Sequence, residues 1–360
     1  MSKPLMVRNS IHTAAFLIFA VLMTACGTAT DADQPQQDKE QILTVMTHDS
    51  FSISEQMLED FQSENDVQVR FLKSGDTGTA VNKAILAKDR PLADVLYGID
   101  NTFLSRALEQ DIFEPYSSHW LSAINDNFEL DPNSRVLPVD FGDVCLNFDL
   151  AYFEDYGLET PESLTDLRDP RYKNLLVVEN PATSSPGLAF LLTTIGNFGD
   201  PGYLDFWQAL VDNNLLVVND WEVAYYQEFS RSGGSRPIVV SYGSSPPFEV
   251  IYSETPISEP PTSALVSNGA CFRQIEFVGI LKGTRNRELA EKWIDFMLSP
   301  EFQEEIPLQM FVFPVNEQAQ LDQVFEEYLV VPENTAFVSF EEIDLYREKW
   351  INEWTQLVLR

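Results

Sequence analysis

Short apolar strands alternate with amphipathic helices along the chain, and this order restricts the possible folds more than any other feature. Residues 42–47, 67–71 and 93–97 have strand-like sequences, and a segment with helical apolar spacing follows each of them. Ser52 and Glu55 form a capping box that predicts the start of the first helix. Because strands and helices alternate at this spacing in βαβ units, the sequence predicts an α/β fold with a parallel sheet.

The same pattern returns in the second half of the chain. Residues 175–178, 215–218 and 238–241 are predicted strands with helices between them. Residues 136–148 lead from the first set of strands to the second, and residues 271–279 lead back. At 360 residues the chain is long enough for two domains. We therefore expect two parallel-rich βα lobes joined by a hinge with two crossings.

The N-terminus has the features of an export signal. Lys3 and Arg8 precede an apolar run at residues 11–22, which is too short to span a membrane. The run leads to Cys26 through a segment that resembles a bacterial lipoprotein cleavage box, although Met23 stands where leucine is usual. In such a box the cysteine becomes the lipidated first residue, and a plain secretory signal is the alternative. We expect an exported protein in the periplasm or at the cell surface, anchored to the membrane through Cys26.

The remaining boundaries follow from composition and pattern. The segment after Cys26 is polar, contains Pro35 and has no apolar period, which is typical of a flexible tether. The predicted organisation is a lipoprotein signal peptide at residues 1–25, a tether at 26–41, the first part of lobe 1 at 42–140, lobe 2 at 141–271, and a return to lobe 1 with the C-terminal helices at 272–360.

The charge of the chain limits its partners. The formal net charge is -33, although 44% of the residues are hydrophobic and 12% are aromatic, as in a globular protein. A strongly negative protein is repelled by nucleic acid and by an anionic membrane surface, so neither is expected as a general partner. The charge is compatible with a cationic ligand, and solubility alone would also explain it.

Cysteine usage fits an oxidising compartment. If Cys26 carries a lipid, Cys145 and Cys271 remain, and each lies beside one of the two predicted crossings. We expect these two residues to form a disulfide. Two unpaired buried thiols are the alternative.

The turn at residues 179–188 is the first candidate for a binding site. Ser184 or Ser185 can cap the apolar helix that follows, Pro186 suits its first turn, and Gly187 allows close approach to the backbone. The N-terminus of a helix can bind a phosphate, a carboxylate or a hydroxyl group. An ordinary capped turn between a strand and a helix is the alternative reading.

Three loops at the expected carboxyl ends of the first strands each contain an aspartate. These residues are Asp49, Asp76 and Asp100. Ligands of open α/β sheets bind beyond the carboxyl ends of the strands, so the three loops are predicted to border a ligand. Each aspartate alone is also a common turn-former or helix cap.

The residues needed for catalysis or metal binding are sparse. The histidines are His12, His48 and His119, none of them at the spacing of metal ligands, and the sequence contains no nucleophile elbow and no P-loop. We therefore predict a binding protein with no catalytic residues, no metal site and no cofactor. A secreted hydrolase that uses His48 and Asp49 in a serine triad is the alternative from another class.

A series of motifs in fixed order carries a family resemblance over residues 42–358. The chain resembles the thiamine-binding receptors of bacterial ABC importers, which belong to the two-lobed type II periplasmic binding superfamily. The resemblance rests on residues 43–51, 93–101, 139–142, 180–188, 221 with 224–225, 241–246, 306–307 and 313–315. It implies a receptor that closes by hinge motion around thiamine or a thiamine phosphate and delivers it to the permease subunits.

The resemblance also implies a set of ligand-binding residues in the cleft. Thiamine has a flat aminopyrimidine and a cationic thiazolium, so aromatic rings supply stacking and cation–π attraction while a carboxylate supplies charge. The helix start at the serine turn suits the hydroxyl or phosphate tail. The implied residues are Asp76, Thr77, Ser184, Ser185, Trp221, Tyr242, Gly243, Ser244 and Ser245, with rings from His48, Phe248 and Phe311.

The chain departs from the family pattern at several of these positions. His48 replaces a tyrosine, Phe311 a tryptophan, Phe248 a tyrosine and Thr77 a glycine. The choice between thiamine, its phosphates and a related heterocycle therefore stays open. A receptor for iron or another small anion is the alternative within the same superfamily. The expected partners are a small-molecule ligand, the permease and a membrane lipid anchor, with the receptor itself a monomer.

Overall fold

The computed structural model describes residues 41–360, apart from the side chain of Glu326. The predicted signal peptide at residues 1–25, the lipidated Cys26 and the predicted tether, except for Gln41, lie outside the described residues. The helices of the described part do not combine the length with the apolar character that crossing a bilayer requires.

The strands form one mixed sheet. Along its main path the order is β2-β1-β3-β10-β5-β8-β6-β7, and β4, β9 and β11 add short edges to β10 or β5. The strands are β1 (Gln41–Thr47), β2 (Val67–Lys73), β3 (Val95–Asp100), β4 (Phe113–Glu114), β5 (Leu137–Asp149), β6 (Leu176–Glu179), β7 (Leu216–Val218), β8 (Ile238–Tyr242), β9 (Thr262–Leu265), β10 (Phe272–Leu281) and β11 (Phe313–Pro314).

Helices cover the sheet and follow most of the parallel strands. They are α1 (Glu55–Asn65), α2 (Thr77–Leu86), α3 (Leu104–Glu109), α4 (Leu150–Tyr156), α5 (Ser185–Phe198), α6 (Gly202–Asp212), α7 (Trp221–Val223), α8 (Ser245–Ile251), α9 (Arg287–Met297), α10 (Pro300–Met310), α11 (Gln323–Tyr328) and α12 (Phe340–Val358). Every residue of α5 from Ser185 to Ile195 is buried, which explains why this helix has an almost wholly apolar sequence.

Two parallel sets of strands are joined by two long antiparallel strands. β1 runs parallel to β2 and β3, and β6 runs parallel to β7 and β8. β5 pairs with β10 through its first part and with β8 and β9 through its second part. The parallel pairing predicted from the βαβ pattern is therefore present in each half of the sheet and is interrupted at its centre by the crossing strands. The two-lobed α/β fold with two crossings is confirmed, while the exact lobe boundaries stay a prediction.

The predicted cap of the first helix was wrong in detail. Helix α1 is capped by Ser54, which accepts a hydrogen bond from the amide of Met57, because the Ser52 hydroxyl instead donates to Gln309. Between α4 and β6 the chain forms two 3-10 turns, Leu164–Arg168 and Pro170–Tyr172. Ser339 and Glu342 form a capping box at the start of α12.

A disulfide lies beside the crossings. Cys145 in β5 and Cys271, just before β10, are bonded at 2.07 Å, and both are fully buried. The pairing matches the sequence prediction. Because the two residues are 126 positions apart, the bond closes a long loop and removes much conformational freedom from the unfolded chain.

Replacing Cys145 and Cys271 together by alanine should lower the free energy of unfolding by about 3–5 kcal/mol, since the closed loop would be released. Chemical denaturation of the variant and of the wild-type protein, with and without reductant, measures the effect. Reduction should destabilise the wild type by a similar amount and leave the variant unchanged. Equal stability of oxidised wild type and variant would contradict a role of this bond in stability.

Candidate functional site

A cavity of about 280 Å³ lies where the loops of the two lobes meet. This volume is close to the lower end of the range for small-molecule sites, which begins at about 300 Å³. It is lined by predicted site residues from both lobes, namely His48, Asp76, Thr77, Ser185, Trp221, Tyr242 and Phe311. The structure thus brings together side chains that are up to 263 positions apart in the sequence, counted from His48 to Phe311 (311 minus 48).

The other predicted residues lie behind or beside this cavity. Ser184, Ser244 and Ser245 are buried, and the amide of Gly243 donates to the carbonyl of Asp143. Phe248 is also buried, in a small cluster with other phenylalanines. The structure therefore places these five residues in supporting positions around the cavity, and their direct contact with a ligand stays a prediction.

The serine turn has the local structure that its sequence indicates. Ser184 is the N-cap of α5 and accepts a hydrogen bond from the amide of Gly187, and Pro186 occupies the first turn. A Cβ at position 187 would lie 2.6 Å from the carbonyl oxygen of Glu179, so only glycine fits there. The buried Ser185 hydroxyl has no hydrogen-bond partner within the described residues and borders the cavity. It is the donor that this turn leaves available to a ligand.

Asp76 joins the two lobes at the cavity. Its carboxylate caps α2 by accepting the amide of Thr77 at 2.8 Å, and it also accepts the amide of Trp221 from the other lobe at 3.3 Å. Burial raises the pKa of Asp76, while hydrogen bonds from Ser184 and Thr77 and the nearby His48 oppose that rise. The carboxylate therefore sits in a desolvated position where a ligand cation would interact strongly.

Aromatic rings form one wall of the cavity. Trp221 stacks on Tyr225, with ring centroids 5.2 Å apart. It makes edge-to-face contacts with Tyr226, Tyr242 and Phe311, with centroid distances of 5.4–6.2 Å. The indole N–H donates to Ser241 at 3.0 Å, which fixes the ring orientation. Such a wall is suited to stacking against a flat heterocycle.

Phe311 occupies a special position between two cavities. It ends α10 with a φ of 61°, which is rare for a residue with a side chain, and its ring stacks on Phe248 at 3.9 Å. Phe311 and Tyr226 border both the cleft cavity and a neighbouring cavity of about 660 Å³, which Phe248 and Tyr252 also line. The predicted ring at position 248 therefore supports Phe311 from behind.

His48 forms an ion pair at the floor of the cavity. Its Nε2 lies 3.5 Å from a carboxylate oxygen of Glu276, and the Ser50 hydroxyl lies 2.9 Å from its Nδ1. A Cβ at Gly98, where φ is +90°, would lie 2.2 Å from the imidazole, so glycine makes room for the ring. Burial lowers the pKa of His48, but Glu276, with smaller contributions from Asp76 and Asp49, raises it above the ordinary value.

Glu276 belongs to a buried acid network between the crossing strands. It lies opposite Asp140 in the β5–β10 register, and the Tyr97 hydroxyl donates to Asp140 at 2.6 Å and lies 3.1 Å from Glu276. Burial and the negative charge of Glu276 raise the pKa of Asp140 well above its ordinary value. Burial also raises the pKa of Glu276, but His48 and hydrogen bonds from its neighbours outweigh that effect and lower it. The two pKa values therefore shift in opposite directions, that of Asp140 upward and that of Glu276 downward.

The three loop aspartates have different roles. Asp49 and Asp76 border the cavity, and Asp49 also accepts the amide of Gly75 at 2.8 Å. Asp100 is fully buried, accepts hydrogen bonds from the amide and hydroxyl of Thr102, and does not line the cavity. For Asp100 the reading as a turn-former was the correct one. Burial raises its pKa to about 7.

Two acidic residues of the site were missed from the sequence. Glu222 and Glu276 line the cavity together with Asp49 and Asp76. The basic residues that line it are Lys73 and His48. Glu276 interrupts a buried apolar strand, which was a signal that could have identified it. The excess of carboxylates favours a cationic ligand. Within residues 41–360, histidine, cysteine and acidic side chains do not gather in groups of three or more that could hold a metal ion.

Comparisons with known proteins find relatives that cover most of the chain. A family model described as bacterial extracellular solute-binding protein matches residues 90–340. The thiamine-binding periplasmic protein of Brucella suis is 28% identical over 345 residues, covering 94% of this chain and 96% of its own. The Escherichia coli K12 protein of the same name is 27% identical over 323 residues, covering 89% and 94%.

Solved structures show the same fold. A periplasmic thiamin binding protein superposes with a TM-score of 0.78 at 26% identity, covering 89% of this chain and 97% of its own. Iron-bound HitA from Pseudomonas aeruginosa superposes with a TM-score of 0.71 at 17% identity, covering 88% and 99%. At that identity the second likeness supports the fold alone.

The His48–Glu276 pair should be visible by NMR. In the ligand-free protein the His48 imidazole should titrate above its ordinary pKa of about 6.5, and Glu276→Gln should lower that pKa because the attracting charge is lost. Since the folded-state pKa is raised, the imidazolium stabilises the fold below about pH 6.5, and this stabilisation is lost as pH rises through the folded-state pKa. An unchanged pKa of His48 in the variant would count against the pair.

Proposed function

Because the chain belongs to the family of bacterial extracellular solute-binding proteins, we propose that it is the extracytoplasmic receptor of an ABC importer. In this proposal the protein binds thiamine or a thiamine phosphate between its lobes and delivers it to the permease. No bond is made or broken. The receptor acts as a monomer that is exported and attached to the membrane through a lipid on Cys26.

One observation carries the ligand proposal. The cavity combines a wall of aromatic rings around Trp221 with the carboxylates of Asp76 and Glu276. A flat heterocycle with a permanent positive charge satisfies both surfaces, because the rings attract its face and the carboxylates attract its charge. Thiamine has this chemistry, and it is the ligand named for the relatives from Brucella suis and Escherichia coli.

The polar end of the ligand has a separate place. The unpartnered Ser185 hydroxyl at the start of α5 can donate to the hydroxyl or phosphate tail of thiamine. Asp76 and Trp221 belong to different lobes and touch each other at the cavity. A ligand that contacts both therefore favours the closed arrangement over the open one by the difference in its affinity for the two states.

The alternatives fit the cavity less well. An anion would enter a cavity where carboxylates outnumber cationic side chains, and the described residues offer no cluster of His, Cys, Asp and Glu for a metal. A serine hydrolase would need a nucleophile beside His48. The Ser50 hydroxyl lies beside Nδ1 of His48, only two residues along the same loop, and the carboxylate of Glu276 faces Nε2.

Calorimetry compares these ligands directly. The purified protein should bind thiamine and show no heat with ferric ion or inorganic phosphate, and mass spectrometry of the gently denatured protein should identify a released thiamine species. Comparison of thiamine with its monophosphate and diphosphate establishes the preferred form. Binding of ferric ion or phosphate without binding of thiamine would favour the other receptor classes.

Trp221→Ala should weaken thiamine binding by about 1–3 kcal/mol, because a stacked ring with cation–π contact is lost. Trp221→Phe should lose less, since a ring remains. Trp120→Ala is the matched control, as Trp120 packs on His119 outside the cavity. Calorimetric affinities and thermal melting measure the set. If Trp221→Ala melts like the wild type and binds thiamine equally well, the ring has no part in recognition.

Asp76→Asn tests the role of charge without removing the helix cap, because asparagine caps as well as aspartate. The variant should bind thiamine at least about tenfold more weakly and lose less affinity for a neutral aminopyrimidine analogue, since the lost charge acts on the cation while the lost contact to the Trp221 amide acts on both ligands. Asp322→Asn, which alters the cap of α11, is the control. Equal losses for the charged and the neutral ligand would show that Asp76 acts through structure alone.

A further inference from the structure

We propose that Glu276 is a recognition carboxylate for the ligand cation and that His48 neutralises it in the empty receptor, so that binding of the cation releases the His48 proton. The inference rests on the proposed function and deepens it. It makes His48 a positioning residue that holds Glu276 ready and determines how affinity for a cation depends on pH.

The geometry places both members of the pair in contact with the ligand space. His48 and Glu276 each line the cavity while being only 6% and 5% exposed. Their separation of 3.5 Å is that of an ion pair that lacks a short hydrogen bond, and His48 Nε2 has no other partner within the described residues. The contact can therefore be broken at small cost when another positive charge approaches Glu276.

Besides His48, two polar groups of the crossing region face the Glu276 carboxylate. Gln274 donates to one carboxylate oxygen at 3.2 Å, and Tyr97 lies 3.1 Å from the other. Asp140 lies directly across the strand pair, and burial together with the negative charge of Glu276 raises its pKa. A buried carboxylate is costly unless a positive charge lies beside it. Here that charge comes from the His48 imidazolium or from a ligand cation.

Other charged groups face the pair from each neighbouring element. They are Asp49 from the loop after β1, Lys73 at the end of β2, Asp76 before α2, Tyr97 and Asp100 in β3, Asp140 in β5, Glu222 and Tyr226 from the segment at α7, and Tyr242 at the end of β8. Helices α5 and α10 contribute Ser185, Gln309 and Met310, which do not titrate near neutral pH. Most of these groups are acidic, so they favour the imidazolium in the empty cavity.

The exchange of charges is balanced. In the empty receptor the imidazolium faces the Glu276 carboxylate. When a ligand cation enters, it replaces that positive charge, the Nε2 proton leaves to solvent, and the net charge of the cavity is unchanged. At pH values below the pKa of His48, the ligand competes with the proton, and its affinity rises by up to about tenfold for each pH unit. A neutral ligand does not compete with the proton.

Calorimetry in buffers with different ionisation enthalpies measures the released proton. At about pH 6.5, thiamine binding should release between about half and one proton, and the affinity should rise from about pH 6 to pH 8. A neutral aminopyrimidine analogue should show neither effect. Heat of binding that is independent of the buffer overturns this inference while leaving the proposed function intact, and absence of thiamine binding overturns both.

Variants identify the source of the proton. His48→Gln and His48→Tyr should each abolish proton release and flatten the pH dependence, and either variant that folds is sufficient. His119→Gln is the matched control, because His119 also lies near a carboxylate, Asp295, but outside the cavity. It should release protons as the wild type does. Release that persists without His48 would assign the proton to Asp100 or Asp140 and overturn the role given to His48.

Glu276→Gln separates recognition from structure. It should weaken thiamine binding at least about tenfold and abolish proton release, while the affinity for the neutral analogue should fall by a smaller factor, because the lost charge acts on the cation alone. Loss of affinity for both ligands in equal proportion would show that Glu276 supports the fold without recognising charge.

Discussion

The antiparallel pairing of β5 with β10 is the constraint on which the rest of the structure depends. These strands are the only connections that the sheet path places between its two parallel halves in residues 41–360. The disulfide between Cys145 and Cys271 fastens them at one point, and the Asp140–Glu276 pair lies between them at another. Backbone hydrogen bonds and the disulfide hold the two strands together, so we expect hinge motion in the regions on either side of them.

The same strands bring the hinge and the ligand cavity into contact. Glu276 belongs to β10 but its carboxylate borders the cavity, while Asp140 beside it is fully buried. A charge placed in the cavity therefore interacts directly with carboxylates at the junction of the lobes. Because buried charges are weakly screened, the protonation of this network and the occupancy of the cavity are energetically linked.

Local patterns predicted much of the fold, and long-range pairing limited the rest. The serine turn could be interpreted from its own residues, because Ser184, Pro186 and Gly187 each have a local conformational role. The position of Phe248 could not be predicted in this way. It lies behind the cavity because Phe311, from the other lobe, stacks on it. Glu276 was overlooked because the sequence of its strand is typical of a buried strand. Only the folded structure shows that its carboxyl group borders the cavity.

Selectivity and closure have a common electrostatic origin in this arrangement. Bringing Asp76 toward Trp221 closes the cavity but also removes carboxylates from water, which costs free energy unless a positive charge accompanies them. A neutral ligand can stack on the aromatic wall without offsetting that cost, whereas an aromatic cation offsets it at the moment of closure. The closed state is thus favoured by the ligand that carries both properties, and the empty receptor needs its own cation, the His48 imidazolium, to reach the same arrangement.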